Sequence, residues 1–188
     1  MDTDNTARYL NSFGKYIVKQ ARTILTKKKK NVTKDLYNSL KFDVVKTLFG
    51  YEVHFFMADY GAFVDKGVSG TKQAQDYTNY DGENKPSPFR FGTGSSLVSK
   101  AEGGMSGIMS KWVQKRGFQW RDKETGQYMS YKSMGYLIAR SIYSKGIKGV
   151  AFYQRPLQLA LPKFGVNLAK ALADDLRLEI KNKTKNTK

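Results

Sequence analysis

The period of the apolar residues changes along this chain, and the change limits it to a mixed helix-and-sheet fold. Leu10, Phe13, Ile17, Ala21 and Ile24 recur at steps of three and four, which puts them on one side of an α-helix. The stripe predicts a helix over 3–26, with Thr3 or Asp4 placed to cap its start by accepting a backbone N–H. A short second helix is expected over 33–40, where Leu36 and Leu40 lie one turn apart. From residue 41 the period becomes two. Segments 41–48 and 51–58 flank Phe49-Gly50 and predict an antiparallel hairpin, since glycine permits the tight turn. Tyr51, Val53, Phe55 and Met57 share one face. Glu52, His54, Phe56 and Ala58 share the other, which Phe56 leads us to expect partly buried.

After a capped turn or short helix at 59–64, periodicity disappears from Lys66 to Gly107, where glycine, serine, proline and polar residues dominate. A span this long without structure is expected to be a functional or permissive loop. Helices resume at 106–116, with Ile108, Met109, Trp112 and Val113 as the apolar face and Gly117 as the stop, and again at 130–144, ending at Gly146. Asp122 to Gly126 reads as a turn, and 150–153 as a short strand. Pro156 is expected to open a short helix that Pro162 interrupts, after which Phe164, Leu168, Leu172, Leu176 and Ile180 line one helical face. The expected architecture is α+β: a small antiparallel sheet packed with an N-terminal helix and further C-terminal helices, carrying a long irregular insertion. It reads as one domain over 1–180, with 66–107 inserted and 181–188 as a basic tail.

Charge narrows the partners. Thirty-three Lys and Arg against 16 Asp and Glu leave the 188-residue chain at +17, so a polyanionic partner or environment is expected. Lys27, Lys28, Lys29 and Lys30 form one block, and Lys181, Lys183, Lys185 and Lys188 another. Each reads either as a solvated segment or as a face for DNA phosphates or an acidic protein surface. No aromatic residue is interleaved with either block, which favours non-specific electrostatics over base reading. With 40% apolar and 13% aromatic residues, wholesale disorder is excluded. There is no cysteine, hence no disulfide and no thiolate metal site. Met1 to Thr6 is polar and acidic and does not read as a signal peptide, and no apolar run reaches the roughly 20 residues of a membrane span.

Catalytic chemistry finds little to stand on. His54 is the only histidine and sits mid-strand, so triads and histidine metal sites lack their parts. Asp43 and Glu52, on facing strands with Lys46 near, resemble a nuclease constellation only loosely, because Val53 and His54 follow Glu52 where Glu-x-Lys is needed. Asp174, Asp175 and Glu179 read as the solvent face of a helix. The runs Gly92-Thr93-Gly94-Ser95 and Gly103-Gly104-Met105-Ser106-Gly107 lack the Gly-Lys-Ser/Thr continuation of a phosphate loop. Trp112 and Trp120 bracket Gly117 and are able to stack bases, but Trp112 has the spacing of a core residue. No catalytic, cofactor-binding or metal-binding residue is assigned.

Three segments carry a resemblance: Tyr60-Gly61-Ala62-Phe63-Val64-Asp65-Lys66-Gly67-Val68, the helix from Ile108 through Trp112 to Gly117, and the run from Tyr136 through Gly146 to Tyr153-Gln154-Arg155-Pro156-Leu157. In this order and spacing they resemble the tail-completion, or neck, proteins that join capsid to tail in tailed bacteriophages. The resemblance implies a small α+β domain whose copies assemble as a ring around the channel below the portal. It implies framework roles for Tyr60, Phe63, Val64, Gly67, Trp112, Gly117, Leu137, Ile138, Ile142, Gly146, Arg155 and Pro156. It also implies a structural virion protein, not an enzyme, whose partners are its own copies, portal and tail proteins, and packaged DNA by non-specific contacts. The long insertion and basic tail depart from the family pattern. The alternative is a non-virion, basic nucleic-acid-binding protein.

Overall fold

In a computed structural model that describes residues 4–30, 33–48, 50–92 and 104–185, the expected elements appear with instructive shifts. Helix α1 spans Asn5–Lys27, capped by the Asp4 carboxylate, which accepts the Ala7 N–H at 2.9 Å. Its buried side is Thr6, Leu10, Gly14, Ile17, Ala21 and Leu25. The short helix α2 (Asp35–Ser39) leads into β1 (Lys41–Thr47) and β2 (Gly50–Phe56), paired antiparallel from Lys41↔Phe56 to Thr47↔Gly50. Phe42 and Phe55 on the inner face meet at 6.3 Å, and Phe55 reaches Phe13 of α1 at 6.5 Å. The outer face is open: Phe56 is 54% exposed, correcting the expectation that its bulk would be partly covered.

Helix α3 (Gly61–Lys66) follows, then β3 (Val68–Ser69), β4 (Asp76–Thr78) and β5 (Asn84–Pro86). The described part of the insertion, 66–92, is therefore mostly irregular but not structureless. β4 pairs with β5, and β3 pairs antiparallel with β6 (Gly146–Ile147). Ser69 also bonds to Phe89 and Phe91 through its backbone, so cross-links invisible to periodicity hold this span. Helices α4 (Gly104–Arg116) and α5 (Tyr131–Lys145) follow, α5 capped by Ser130, whose hydroxyl accepts the Ser133 N–H. Gly117 and Gly146, at φ 67° and 83°, end them as expected.

The last element corrects the expectation of a short strand and broken helices. Residues 150–153 form a turn with Ala151 at φ 50°, and α6 runs unbroken over Gln154–Lys185. Pro156 lies in its first turn, where no helical N–H is needed. Pro162 lies inside it, at an exposed position. It removes one bond to the Gln158 carbonyl, and on that side solvent can take the carbonyl. The expected basic tail is thus helical as far as Lys185, and Lys188 lies outside the described residues.

Two compact units result. The first joins residues 1–65, 78–84 and 150–188, and the second joins 66–77 and 85–149. Ala21, Leu25, Leu36, Leu40 and Phe152 form the core of the first. Val113, Met134 and Ala139 are the fully buried apolar side chains of the second, with Gly135 of α5 set against Ser106 and Ser110 of α4. A Cβ on Gly135 would stand 2.6 Å from the Ser110 amide nitrogen and 2.7 Å from the Ser106 carbonyl oxygen. Trp112, expected in the core, is half-buried and edge-on to Phe118 at 5.4 Å. Among the described residues no helix is long and apolar enough to cross a membrane.

Candidate interaction surfaces

The Lys27–Lys30 block is part helix, part cap. Lys27 is the last residue of α1, and the Lys28 and Lys30 amides donate to the Ile24 and Leu25 carbonyls at 2.9 Å each. Lys29 takes the left-handed φ of 54° that glycine usually supplies. Cations at this end of a helix are favoured by the partial negative charge of its free carbonyls. The block also continues a larger surface that sequence reasoning missed. Lys15, Lys19, Arg22 and Lys27 of α1, with Lys41 of β1, line a groove of about 940 Å³ floored by Val18, Tyr37, Leu40 and Phe42. Among the described residues no carboxylate lines it. The Arg22 guanidinium is fixed there, donating to the Tyr37 and Leu40 carbonyls at 3.1 and 2.8 Å and lying over the Tyr37 ring. The row is written in the sequence as steps of four, three and five from Lys15, on a side of the helix that the apolar period does not mark. At the other end, Lys181, Lys183 and Lys185 ride the exposed last turns of α6, with Lys183 3.5 Å from Glu179.

The residues of the resemblance divide. Val64 is half-buried and Pro156 buried, and Gly67 has a φ of 78° with its backbone against Gly149 and Ile147. Tyr60, Phe63 and Arg155 are exposed. Of the second helix's residues, Leu137 is also exposed, while Ile138 and Ile142 are half-buried. What ties the distant segments together is Asp65, which lies within the Tyr60–Val68 segment but is not among its framework residues. It is 2% exposed; its carboxylate accepts the Tyr153 N–H at 2.8 Å and its carbonyl the Ala151 N–H at 3.0 Å. The Val64 carbonyl accepts from Val150. A buried carboxylate just ahead of α6 faces the positive end of that helix. Burial, and then the Asp65 charge, push the Tyr153 hydroxyl up to about 12.

Asp175 corrects the reading of the acidic residues on α6 as a solvent face. Its two oxygens take four hydrogen bonds from the start of α1: the Asn5 N–H and Nδ2–H at 2.7 and 2.8 Å, and the Thr6 N–H and Oγ1–H at 2.8 and 2.7 Å. Burial works to raise its pKa, but the Thr6 and Asn5 donors outweigh it and hold the carboxyl at about 2. This one side chain satisfies orphan amides at the N-terminus of α1.

The loose nuclease constellation does not assemble. Asp43 and Glu52 lie on the outer face of the hairpin, with Glu52 2.9 Å from His54. Lys46 is on the inner face, 4.0 Å from Asp4. Among the described residues no group of three or more His, Asp or Glu is placed to hold a metal ion. Comparison with models of known families, with curated proteins and with solved structures gave no match.

Proposed function

We propose that this chain is a structural virion protein that forms an oligomeric ring in the neck or tail of a tailed bacteriophage, joining the portal side to the tail. The observation that carries the reading is the apolar surface left uncovered on the first unit. Phe56 of the hairpin and Leu159, Val166, Leu172, Leu176 and Ile180 of α6 all stand more than half exposed. A soluble monomer rarely leaves so much large aliphatic surface on one helix, and such surface marks assembly. The motifs behind the neck-protein resemblance add support, because Tyr60–Val68 and the turn before α6, far apart in sequence, are bonded through Val64 and Asp65. In this reading the copies bury their faces against one another, and the excess positive charge meets portal, tail or packaged DNA.

The test is mass spectrometry of purified, nuclease-treated particles. A fixed ratio to the portal, roughly equal or half as closed symmetric rings require, is the expected result. Absence from particles would overturn the reading. A second reading, a non-virion nucleic-acid-binding protein, is favoured by one observation, the groove of five cations without a carboxylate along α1. It predicts DNA binding by the isolated chain that falls steeply with salt and weakens when Lys15, Lys19 and Lys41 are changed to glutamine.

A further inference from the structure

Pro162, Val166, Ala169, Ala173, Leu176 and Ile180 follow one another at steps of four, three, four, three and four. That alternation keeps them on one side of α6, as a straight seam about 27 Å long. The seam lies away from Phe164 and Asp175, which face α1, and among the described residues it is open over most of its length: Val166 is 74% exposed and Ile180 64%, while Ala173 is half-buried and Leu176 borders a groove with Thr6 and Tyr51. Along one flank, at intervals of seven, run Lys163, Lys170 and Arg177. Lys163 and Lys170 have no carboxylate within ion-pair range among the described residues. Among the described residues, the ion pair Arg177 makes is with Asp174 of its own helix, at 3.4 Å. Two copies of this seam laid antiparallel would bring those cations against each other, which disfavours self-pairing.

The complementary surface is on the same chain. The outer face of the hairpin presents Val45 and Phe56 as exposed apolar groups beside the Asp43 and Glu52 carboxylates, with His54 stacked on Phe56 and 2.9 Å from Glu52, and Lys41 at one end. Its seven-residue strands span about 23 Å, close to the length of the seam. One face is apolar with a basic flank, and the other is apolar with acidic groups.

We infer that the α6 seam of one copy docks on the outer hairpin face of the next. The two surfaces are different patches of one molecule, so the contact is head-to-tail, and repetition generates a ring where the rotation closes. This rests on the ring reading above and names the interface that would build it.

The test is a mixing experiment on the full chain by light scattering after size exclusion. Wild type self-associates. Ile180→Asp, which spoils the seam, and Phe56→Asp, which spoils the hairpin face, each weaken self-association roughly a hundredfold or more, the cost of burying an unpaired charge at an interface. Mixed together, the two variants form a heterodimer and nothing larger, because each supplies the face the other lacks. Wild type that stays monomeric at every concentration, variants that still assemble, or a mixture that does not pair would each overturn the interface. Lys170→Glu and Glu52→Lys, exposed charge changes that leave the packing alone, give a second check: each weakens assembly at low salt, and the double variant restores it. Particle composition judges the neck reading separately. A chain present in particles, whose oligomer ignores both substitutions, sinks this interface and leaves that reading standing.

Discussion

Helices α1 and α6 lie against each other, and both carry apolar rows at helical spacing, yet the rows end in different places. Leu10, Ile17, Ala21 and Leu25 of α1 are buried, Ile17 and Leu25 completely. On α6, Phe164 packs at 4.6 Å from Phe13 and Leu168 is half-covered, but Leu172, Leu176 and Ile180 of the same expected face stand in the open. Geometry explains part of the difference. Repeated steps of four advance about 40° further around the helix each time, so the row from Phe164 to Ile180 winds off the side that meets α1. Length explains the rest. Asp175 of α6 already meets the first residues of α1, so the ten residues after it run beyond that helix's start. An apolar row thus marks a side that needs a partner, and only in α1 is the partner within the chain.

Truncation should break the comparison most sharply. Ile17→Ala removes a fully buried side chain and should cost about 3 kcal/mol, whereas Leu176→Ala on exposed α6 should stay within about 0.5 kcal/mol of wild type. Urea unfolding of dilute, dissociated protein measures both. Equal losses would mean that α6 is covered within the monomer and that the seam is misread.

The joint between the two helices comes next. Asp175→Ala strands the Thr6 hydroxyl and the first amides of α1, an expected loss of about 2 kcal/mol. Asp175→Asn sharpens this through pH. The folded carboxyl is held at about 2, below its ordinary value of 3.8. Its contribution is therefore present in full above the ordinary value and disappears as pH falls toward about 2. The gap in urea midpoint between wild type and Asp175→Asn should be constant near neutrality and close between about pH 4 and pH 2. A gap that persists below pH 2 would show that the charge is not what joins α6 to α1.

The smallest effect should be a gain. Ala151, just ahead of α6, is held at φ 50°, a conformation costly for any residue with a Cβ. Ala151→Gly should stabilise the chain by about 0.5–1 kcal/mol in the same unfolding assay. A loss would mean that the alanine methyl matters more to packing than its backbone strain.

Local rules account for several elements of the fold. α1 with its Asp4 cap, the hairpin with its inner Tyr51, Val53 and Phe55, and the glycine stops at 117 and 146 all follow from residues within one or two turns of each other. The chain's composition and spacing also determined the α+β class and the large positive charge. Tertiary structure alone decided the rest, because it depends on pairs far apart in sequence. The insertion has no period, and the order of its described part comes from backbone bonds such as Ser69 to Phe89 and Thr71 to Tyr143. Pro162 reads as a break until its exposed position leaves the freed carbonyl to solvent. Asp175 reads as one more solvated acid until Asn5 and Thr6, some 170 residues away, supply its donors. Asp65 is one acid among 16 in the sequence; folding buries it and gives its carboxylate the Tyr153 amide. A carboxylate's role is set by which donors reach it and how much water is removed, and both are decided by the chain brought up from elsewhere.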